Sequence, residues 1–152
     1  MFIKFMKKKI IITGGLGYIG TELCKLYSGV SWHHNIVVID NRFISERVNQ
    51  IRNWNIDFIQ GDILDKDLVN KHFKDADIVH HLAGITDVPR TKSETSKLRD
   101  EKIIEVGQLG TQNILDTINT NCKIIFPSTH VVFEGLKDVK KNIQEDEPTI
   151  PV

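Results

Sequence analysis

The sequence has few of the features that mark metal-stabilised, secreted or nucleic-acid-binding proteins. Its two cysteines, Cys24 and Cys122, form no CxxC pair, so we interpret them as small buried apolar residues in a reducing compartment. Twenty basic and twenty acidic residues leave a formal net charge of zero. Such a balance gives no long-range attraction for nucleic acid or for an anionic membrane, and we expect neither as a partner.

Long hydrophobic runs are also missing. No apolar stretch approaches the roughly 18 residues that a membrane-spanning helix needs, and residues 1–9 lack the apolar core and cleavage site of a signal peptide. We therefore predict a cytoplasmic location. The 152 residues, 40% of them hydrophobic and 26% charged, suffice for about one globular domain.

Two histidine pairs, His33-His34 and His80-His81, invite a comparison with metal sites. Neighbouring residues on a strand point to opposite faces, so His80 and His81 cannot readily share one ion. No HxxxH or CxxC spacing supplies further ligands. We expect structural roles for these histidines and no metal site.

Short β-branched runs alternate along the chain with segments of helical spacing. Strands are predicted at Lys9–Thr13, Asn35–Asp40, Asp57–Gln60, residues 78–82 and residues 123–126. Helices are predicted from Ile19, with Leu23, Leu26 and Val30 facing inward; over residues 65–74; and over residues 93–120, with a stripe of Ile104, Gly107, Thr111, Ile114, Leu115 and Ile118. This alternation predicts an α/β fold, a Rossmann-type doubly wound parallel sheet with helices on both faces. Residues 1–135 are assigned to this domain, and residues 136–152, which lack core-forming periodicity, to a surface loop.

A glycine-rich segment, TGGLGYIG, lies where the first strand passes into the first helix. Its glycines satisfy two overlapping dinucleotide-binding patterns, GxGxxG from Gly15 and GxxGxxG from Gly14, both ending on Gly17 and Gly20. Glycine is needed there because a Cβ would block the approach of the backbone to a pyrophosphate at the helix N-terminus. A Walker-type phosphate loop is excluded, because Thr21 and Glu22 follow Gly20 where that motif requires Lys and Ser or Thr.

An acidic residue follows at the distance that a dinucleotide site requires. Asp40 ends the second strand, 20 residues beyond Gly20, where a carboxylate accepts hydrogen bonds from the adenosine ribose. The same charge would repel a 2′-phosphate, which favours NAD over NADP. Arg42, two residues further on, leaves NADP open as the less favoured cofactor.

Six segments together resemble a known family. They are TGGLGYIG at 13–20, VVIDN at 37–41, GDILD at 61–65, HLAG at 81–84, LGTQNIL at 109–115 and PSTHVVFEG at 127–135. Their order and spacing are similar to the extended short-chain dehydrogenase/reductase family, and within it to the NAD-dependent epimerase/dehydratases that act on nucleotide sugars. The resemblance covers the N-terminal portion of such a protein, without its C-terminal substrate domain.

The resemblance implies a role for each matched position. The implied cofactor residues are Gly14, Gly17, Tyr18, Ile19 and Gly20 at the pyrophosphate, Asp40 and Asn41 at the ribose, Asp62 and Ile63 at the adenine, and Leu82, Ala83 and Gly84 near the nicotinamide. Thr129 matches the catalytic Ser/Thr that hydrogen-bonds the reacting sugar hydroxyl. Candidate substrate contacts are Thr86, Asp87, Arg90 and His130.

The family transfers a hydride between a sugar carbon and the nicotinamide, and a tyrosinate from a YxxxK motif moves the hydroxyl proton. Neither Tyr18 nor Tyr27 is followed four residues later by Lys. The segment Glu145, Asp146, Pro148 and Pro151 resembles the E-D-x-P-x-x-P that precedes the catalytic tyrosine in the family. We therefore expect the NAD-binding portion of an enzyme, inactive by itself, whose complete form acts on a nucleotide sugar and can form a homodimer.

Two alternatives remain open at this point. STHVVFEG is also similar to the deoxysugar 4-keto reductases, which would make the chain part of an NADP-type reductase. A non-catalytic NAD-binding module is the other. Dehydration is disfavoured, because His130 and Val131 stand where the 4,6-dehydratases of the family have Asp and Glu.

Overall fold

Five parallel strands form a single sheet at the centre of the fold. The computed structural model describes residues 7–85, 97–128, 143–144, 146 and 148–149. The strands are β1 (Lys9–Thr13), β2 (Asn35–Asp40), β3 (Asp57–Gln60), β4 (Ile78–His81) and β5 (Lys123–Ile125), in the order β3-β2-β1-β4-β5. All neighbouring pairs are parallel. The predicted Rossmann-type sheet is thus confirmed, with β4 and β5 one residue shorter than predicted.

The order of the strands reverses beside β1. The chain runs outward from β1 to β2 and β3, and then returns to place β4 on the other side of β1. In open α/β sheets a crevice forms at such a reversal, at the carboxyl ends of the strands. The ends of β1, β2 and β4 are Thr13, Asp40 and His81, which places three polar side chains at this edge.

Helices cover both faces of the sheet. They are α1 (Tyr18–Tyr27), α2 (Ser45–Asn53), α3 (Lys66–Phe73), α4 (Lys97–Ile104) and α5 (Thr111–Thr117), and a π-helical segment, Glu105–Gly110, joins α4 to α5. Alternate strand residues point to opposite faces. On one face the buried core includes Ile11, Val37, Ile39, Val79, Val69, Phe73, Val106 and Ile114. On the other face it includes Ile10, Ile12, Ile36, Val38, Cys24, Val48 and Ile51.

Helix α2 was absent from the sequence prediction. Only Val48 and Ile51 are buried in its sequence, SERVNQIRN. Two apolar positions in an otherwise polar segment leave too weak a pattern to recognise a helix by periodicity. Helix α2 packs against β3 and α1, and these contacts stabilise it although its own apolar pattern is too weak to predict it.

The inward face of α1 also differs from the prediction. Gly20 and Cys24 are buried, whereas Leu26 is 79% exposed and Val30 41% exposed. An added Cβ at Gly20 would lie 2.6 Å from the carbonyl oxygen of Gly14, so the helix packs on the glycine turn through its smallest residue. The expected stripe through Leu26 and Val30 is therefore wrong, and Cys24 has the buried environment that was predicted for it.

The single helix predicted over residues 93–120 is interrupted in the described part of that range. A π-turn accommodates more residues than an α-turn, so it rotates the face that follows it. The buried residues are consequently Val106, Gly110, Asn113 and Ile114. Ile104 and Leu115, predicted to face the core, are 54% and 46% exposed, and Gly107 is exposed as well. None of the helices in the described residues is long and apolar enough to cross a membrane.

Candidate functional site

A cleft of about 1050 Å³ opens at the carboxyl edge of the sheet. All twelve residues that the sequence analysis assigned to a cofactor lie along it: Gly14, Gly17, Tyr18, Ile19, Gly20, Asp40, Asn41, Asp62, Ile63, Leu82, Ala83 and Gly84. They come from the ends of four strands and the start of α1. The fold therefore brings into one cavity residues that are up to 70 positions apart.

The glycine turn requires glycine for two separate reasons. Gly14 has a φ of +66°, a left-handed conformation that residues with a Cβ rarely adopt. A Cβ there would also lie 2.8 Å from backbone atoms of Ala83. Helix α1 begins after Gly17, which is extended and offers no side-chain cap. The N-terminal N–H groups of α1 thus have no capping side chain and adjoin the cleft, the arrangement that suits an anion.

Asp40 is buried at the end of β2, where its carboxylate organises the neighbouring loops. Its Oδ2 accepts a hydrogen bond from the Leu16 N–H at 3.0 Å, and its Oδ1 accepts one from the Arg42 N–H at 3.0 Å. The Arg42 guanidinium lies against the same two oxygens. The carboxylate therefore receives both backbone and side-chain donors.

A second polar pair lines the cleft next to Asp40. Asn41 Nδ2 donates to Asp62 Oδ2 at 3.1 Å, while Asp62 Oδ1 accepts from the Leu64 N–H at 3.0 Å. The buried Ile63 side chain follows Asp62 and packs against Gly110, where an added Cβ would lie 2.5 Å from its Cδ1. This side of the cleft presents one apolar surface beside two hydrogen-bonding groups.

At the end of β4, the buried His81 bridges two hydroxyls. Its Nδ1 lies 2.9 Å from Thr13 Oγ1 and its Nε2 lies 2.9 Å from Thr111 Oγ1. Thr13 Oγ1 in turn accepts hydrogen bonds from the N–H groups of Leu82 and Ala83, at 3.1 and 3.0 Å. Burial lowers the pKa of His81 below its ordinary value of 6.5.

The two adjacent histidines of β4 serve opposite faces of the sheet, as the alternation of strand side chains predicts. His80 Nε2 lies 2.7 Å from the hydroxyl of Tyr27, on the face that α1 covers. Burial lowers the pKa of His80, and the positive charge of Lys123 lowers it further. Within the described residues, no group of three or more His, Cys, Asp or Glu side chains could hold a metal ion.

Sequence reasoning did not assign several residues that line the cleft. They include Arg47, His81, Lys102, Val106 and Phe126. Arg47 lies on the unpredicted helix α2 and donates to the Leu16 carbonyl oxygen. His81 lies in the HLAG segment. The alternation of side chains along β4 could have predicted that it lies on the opposite face from His80. The predicted catalytic Thr129 and the predicted substrate contacts Thr86, Asp87, Arg90 and His130 lie outside the described residues.

A model of the 3-beta hydroxysteroid dehydrogenase/isomerase family matches residues 11–150. The chain belongs to this family. The UDP-N-acetyl-alpha-D-glucosaminuronate decarboxylase of Bacillus cytotoxicus is 36% identical over 134 residues, which is 84% of this chain and 38% of that protein. The CDP-paratose 2-epimerase of Salmonella typhi is 32% identical over 149 residues, or 90% of this chain and 41% of that protein. These relatives confirm the resemblance to the NAD-dependent epimerase/dehydratases of the extended short-chain dehydrogenase/reductase family.

Solved structures of family members have the same fold. A UDP-glucuronic acid 4-epimerase from Bacillus cereus has a TM-score of 0.75 and 27% identity, and the match covers 94% of this chain and 46% of that chain. The UDP-Glc/GlcNAc 4-epimerase of Campylobacter jejuni has a TM-score of 0.76 at 23% identity, with 95% and 44% covered. The chain thus spans less than half the length of these family members.

Proposed function

We propose that these residues form the NAD-binding portion of a protein similar to the nucleotide-sugar epimerases and dehydratases. The observation that carries the proposal is the convergence of the glycine turn, Asp40 and the Leu82–Gly84 backbone on one cleft. The Bacillus cereus epimerase, which shares this fold, was solved in complex with NAD and a UDP-sugar analogue.

The residues present fit a dinucleotide. The pyrophosphate would lie at the N-terminus of α1, where side chains on Gly14 and Gly20 would fill the space between backbone segments. Asp40 would accept the hydroxyls of the adenosine ribose, and Asp62 and Ile63 would border the adenine. When bound, NAD supplies a hydride acceptor; the chain itself supplies orientation and exclusion of water along the apolar Leu82 and Ala83 surface.

The sugar chemistry belongs to the complete protein. Thr129 is our candidate for the hydroxyl that bonds the reacting sugar oxygen, and Thr86, Asp87, Arg90 and His130 are candidates for substrate contacts. The substrate class is a nucleotide sugar, since the two relatives described above act on a UDP- or CDP-linked sugar according to their names.

Neither tyrosine of the chain is suited to catalysis. Tyr27 bonds to His80 at the C-terminal end of α1, and burial raises its pKa, whereas a catalytic tyrosinate needs a lowered one. Tyr18 is 82% exposed at the start of α1 and has no Lys four residues later. We infer that the 152-residue chain binds NAD without turning over a nucleotide sugar.

Calorimetric titration of the purified chain with NAD and NADP tests the proposal. We expect saturable binding of NAD, weakened by Asp40→Asn by roughly 10- to 100-fold, because a charge-assisted hydrogen bond contributes about 1.5–3 kcal/mol. Asp57→Asn is the matched control, since the exposed Asp57 begins β3 at the opposite edge of the sheet. A folded chain that binds no dinucleotide would refute the proposal, and turnover of a UDP-sugar by this chain would refute the inference about its tyrosines.

A second candidate is part of an NADP-dependent sugar reductase. The observation that favours it is the presence of two guanidinium groups, Arg42 and Arg47, at the same end of the cleft as Asp40. Guanidinium groups suit phosphate oxyanions. Tighter binding of NADP than of NAD in the same titration would favour this candidate over the first.

A further inference from the structure

We propose that His81 is a positioning residue that ties the π-helical segment to the end of the sheet carrying the dinucleotide cleft. In this role His81 is held as the neutral imidazole with its proton on Nε2. The inference rests on the proposed NAD site for its functional consequence, but its structural part can be tested without NAD.

The hydroxyl on the helix side sets the state of Nε2. Thr111 Oγ1 lies 2.6 Å from the carbonyl oxygen of Gly107, which can only accept a hydrogen bond. The single hydroxyl proton of Thr111 is therefore directed at Gly107. Its oxygen can then contact His81 Nε2, 2.9 Å away, only by accepting a proton from it. Nε2 must accordingly carry hydrogen.

The hydroxyl on the strand side sets the state of Nδ1 independently. Thr13 Oγ1 accepts from the Ala83 N–H at 3.0 Å and from the Leu82 N–H at 3.1 Å, which is shared with the Thr13 carbonyl oxygen at 3.2 Å. A hydroxyl oxygen has two lone pairs, so both are occupied and its proton remains to be donated. The acceptor is His81 Nδ1 at 2.9 Å, which must lack hydrogen. Both ends of the chain of hydrogen bonds thus require the same tautomer.

Protonation of His81 is incompatible with this arrangement. An imidazolium would direct an N–H from Nδ1 at Thr13 Oγ1, an atom that already accepts from Leu82 and Ala83. The Leu82 N–H could still bond to the Thr13 carbonyl oxygen, 3.2 Å away, but the Thr13 hydroxyl proton would lose Nδ1 as its acceptor, inside a site where an unpaired polar group is costly. His81 is 1% exposed, so water cannot readily replace the lost partner.

The residues joined in this way lie on two sides of the cleft. On the strand side, Thr13 holds the backbone of Leu82 and Ala83 close to Gly14, where an added Cβ would lie 2.8 Å from Ala83. On the helix side, Thr111 holds the carbonyl of Gly107, three residues before the close contact of Gly110 with Ile63. His81 therefore links the nicotinamide side of the proposed site to its adenine side.

The tautomer is tested by nitrogen NMR of the imidazole in the wild-type chain. We expect a protonated Nε2 and an unprotonated Nδ1, with no imidazolium signal while the chain remains folded in mildly acidic buffer. An Nδ1-protonated ring, or an imidazolium in the folded chain, would overturn the assignment. This measurement needs neither NAD nor a variant, so it stands whatever the outcome of the NAD titration.

The link is tested by Thr111→Val, which removes one hydroxyl and keeps the shape of the side chain. We expect it to shift the amide resonances of Leu82 and Ala83, which the hydrogen bonds through His81 and Thr13 connect to Thr111, and to weaken NAD binding by roughly five-fold, the worth of about one hydrogen bond. Thr117→Val is the matched control, because the Thr117 hydroxyl lies against a preceding carbonyl of the helix, that of Asn113, and against a second side chain, which is Asn70 of α3 in place of His81.

A double-variant cycle separates positioning from a general loss of packing. In His81→Asn the side-chain oxygen can still accept from Thr13 but cannot extend to Thr111, so adding Thr111→Val should weaken NAD binding no further. Unchanged Leu82 and Ala83 amides in Thr111→Val, or additive losses in the double variant, would overturn the link. If the wild-type chain binds no NAD while the tautomer and amide shifts appear as expected, the proposed function fails and the link within the fold stands.

Discussion

The guanidinium of Arg42 lies against the carboxylate of Asp40, with Nε 3.2 Å from Oδ1 and Nη2 3.4 Å from Oδ2. These distances exceed the 3.0 Å of the backbone bonds from Leu16 and Arg42 to the same oxygens. Arg42 is also largely exposed, with 57% of its side-chain surface accessible, whereas the Asp40 side chain is 3% exposed. A ribose that bonds Asp40 must therefore displace the guanidinium and leave the backbone donors in place.

We predict that Arg42→Met weakens the binding of NADP but not that of NAD. Binding of NAD should be unchanged or tighter, because a competitor for Asp40 is removed. Binding of NADP should weaken by about 10-fold or more, since a phosphate loses a charge-assisted partner. Parallel calorimetric titrations measure both affinities, with Arg52→Met in the last turn of α2 as a control for lost charge. Equal losses for the two cofactors would contradict the displacement of Arg42.

The glycine turn allows a second prediction. Gly14→Ala combines a positive φ with backbone atoms of Ala83 at 2.8 Å, and neither can be relieved by moving a flexible side chain. We expect a loss of roughly 2–5 kcal/mol in the free energy of unfolding and no detectable NAD binding. Urea denaturation and calorimetry provide the two measurements. Gly29→Ala, where an added Cβ meets nothing within 4 Å in the part of the chain that the structure describes, should leave both nearly unchanged. A stable Gly14→Ala chain that binds NAD would show that this turn is not constrained as described.

Features that depend on local chemistry could be predicted from the sequence. The β-branched run at Lys9–Thr13 predicted a strand buried on both faces, and Gly14 marked a backbone position that only glycine occupies easily. Helix α2 was missed because a helix with two buried residues is stabilised by its neighbours rather than by its own pattern. Arg47 was missed with it as a residue of the cleft.

Contacts between distant segments could not be predicted from the sequence either. His81 bonds to Thr13 and Thr111, 68 and 30 residues away, and no local pattern relates these three positions. The buried face between Ile104 and Leu115 was misplaced for a different reason. A stripe drawn with a constant helical period cannot anticipate a π-turn, which rotates every later side chain.

Two glycines in the π-helical segment form a matched pair for a third prediction. A Cβ at Gly107 would meet no atom of the described residues within 4 Å, so Gly107→Ala should stabilise the chain by about 0.5–1 kcal/mol through the lower entropy of the unfolded state. A Cβ at Gly110 would lie 2.5 Å from Ile63 Cδ1, so Gly110→Ala should destabilise it by about 1–3 kcal/mol and weaken NAD binding by displacing Ile63 into the cleft. Urea midpoints of the two variants measure the contrast. Equal effects would mean that the segment packs against Ile63 differently.

The stability of the chain should fall as the pH drops below about 6.5, the ordinary pKa of histidine. Burial lowers the pKa values of His81 and His80 in the folded chain, and burial followed by the charge of Lys71 lowers that of His72. Below about pH 6.5 the unfolded chain binds protons at these histidines more readily than the folded chain does, so unfolding becomes more favourable. The stabilisation is fully present above that pH.

Urea midpoints measured from about pH 8 to about pH 5 should therefore decrease on acidification. His81→Asn should reduce the slope, and a midpoint that rises on acidification would contradict the burial of these rings.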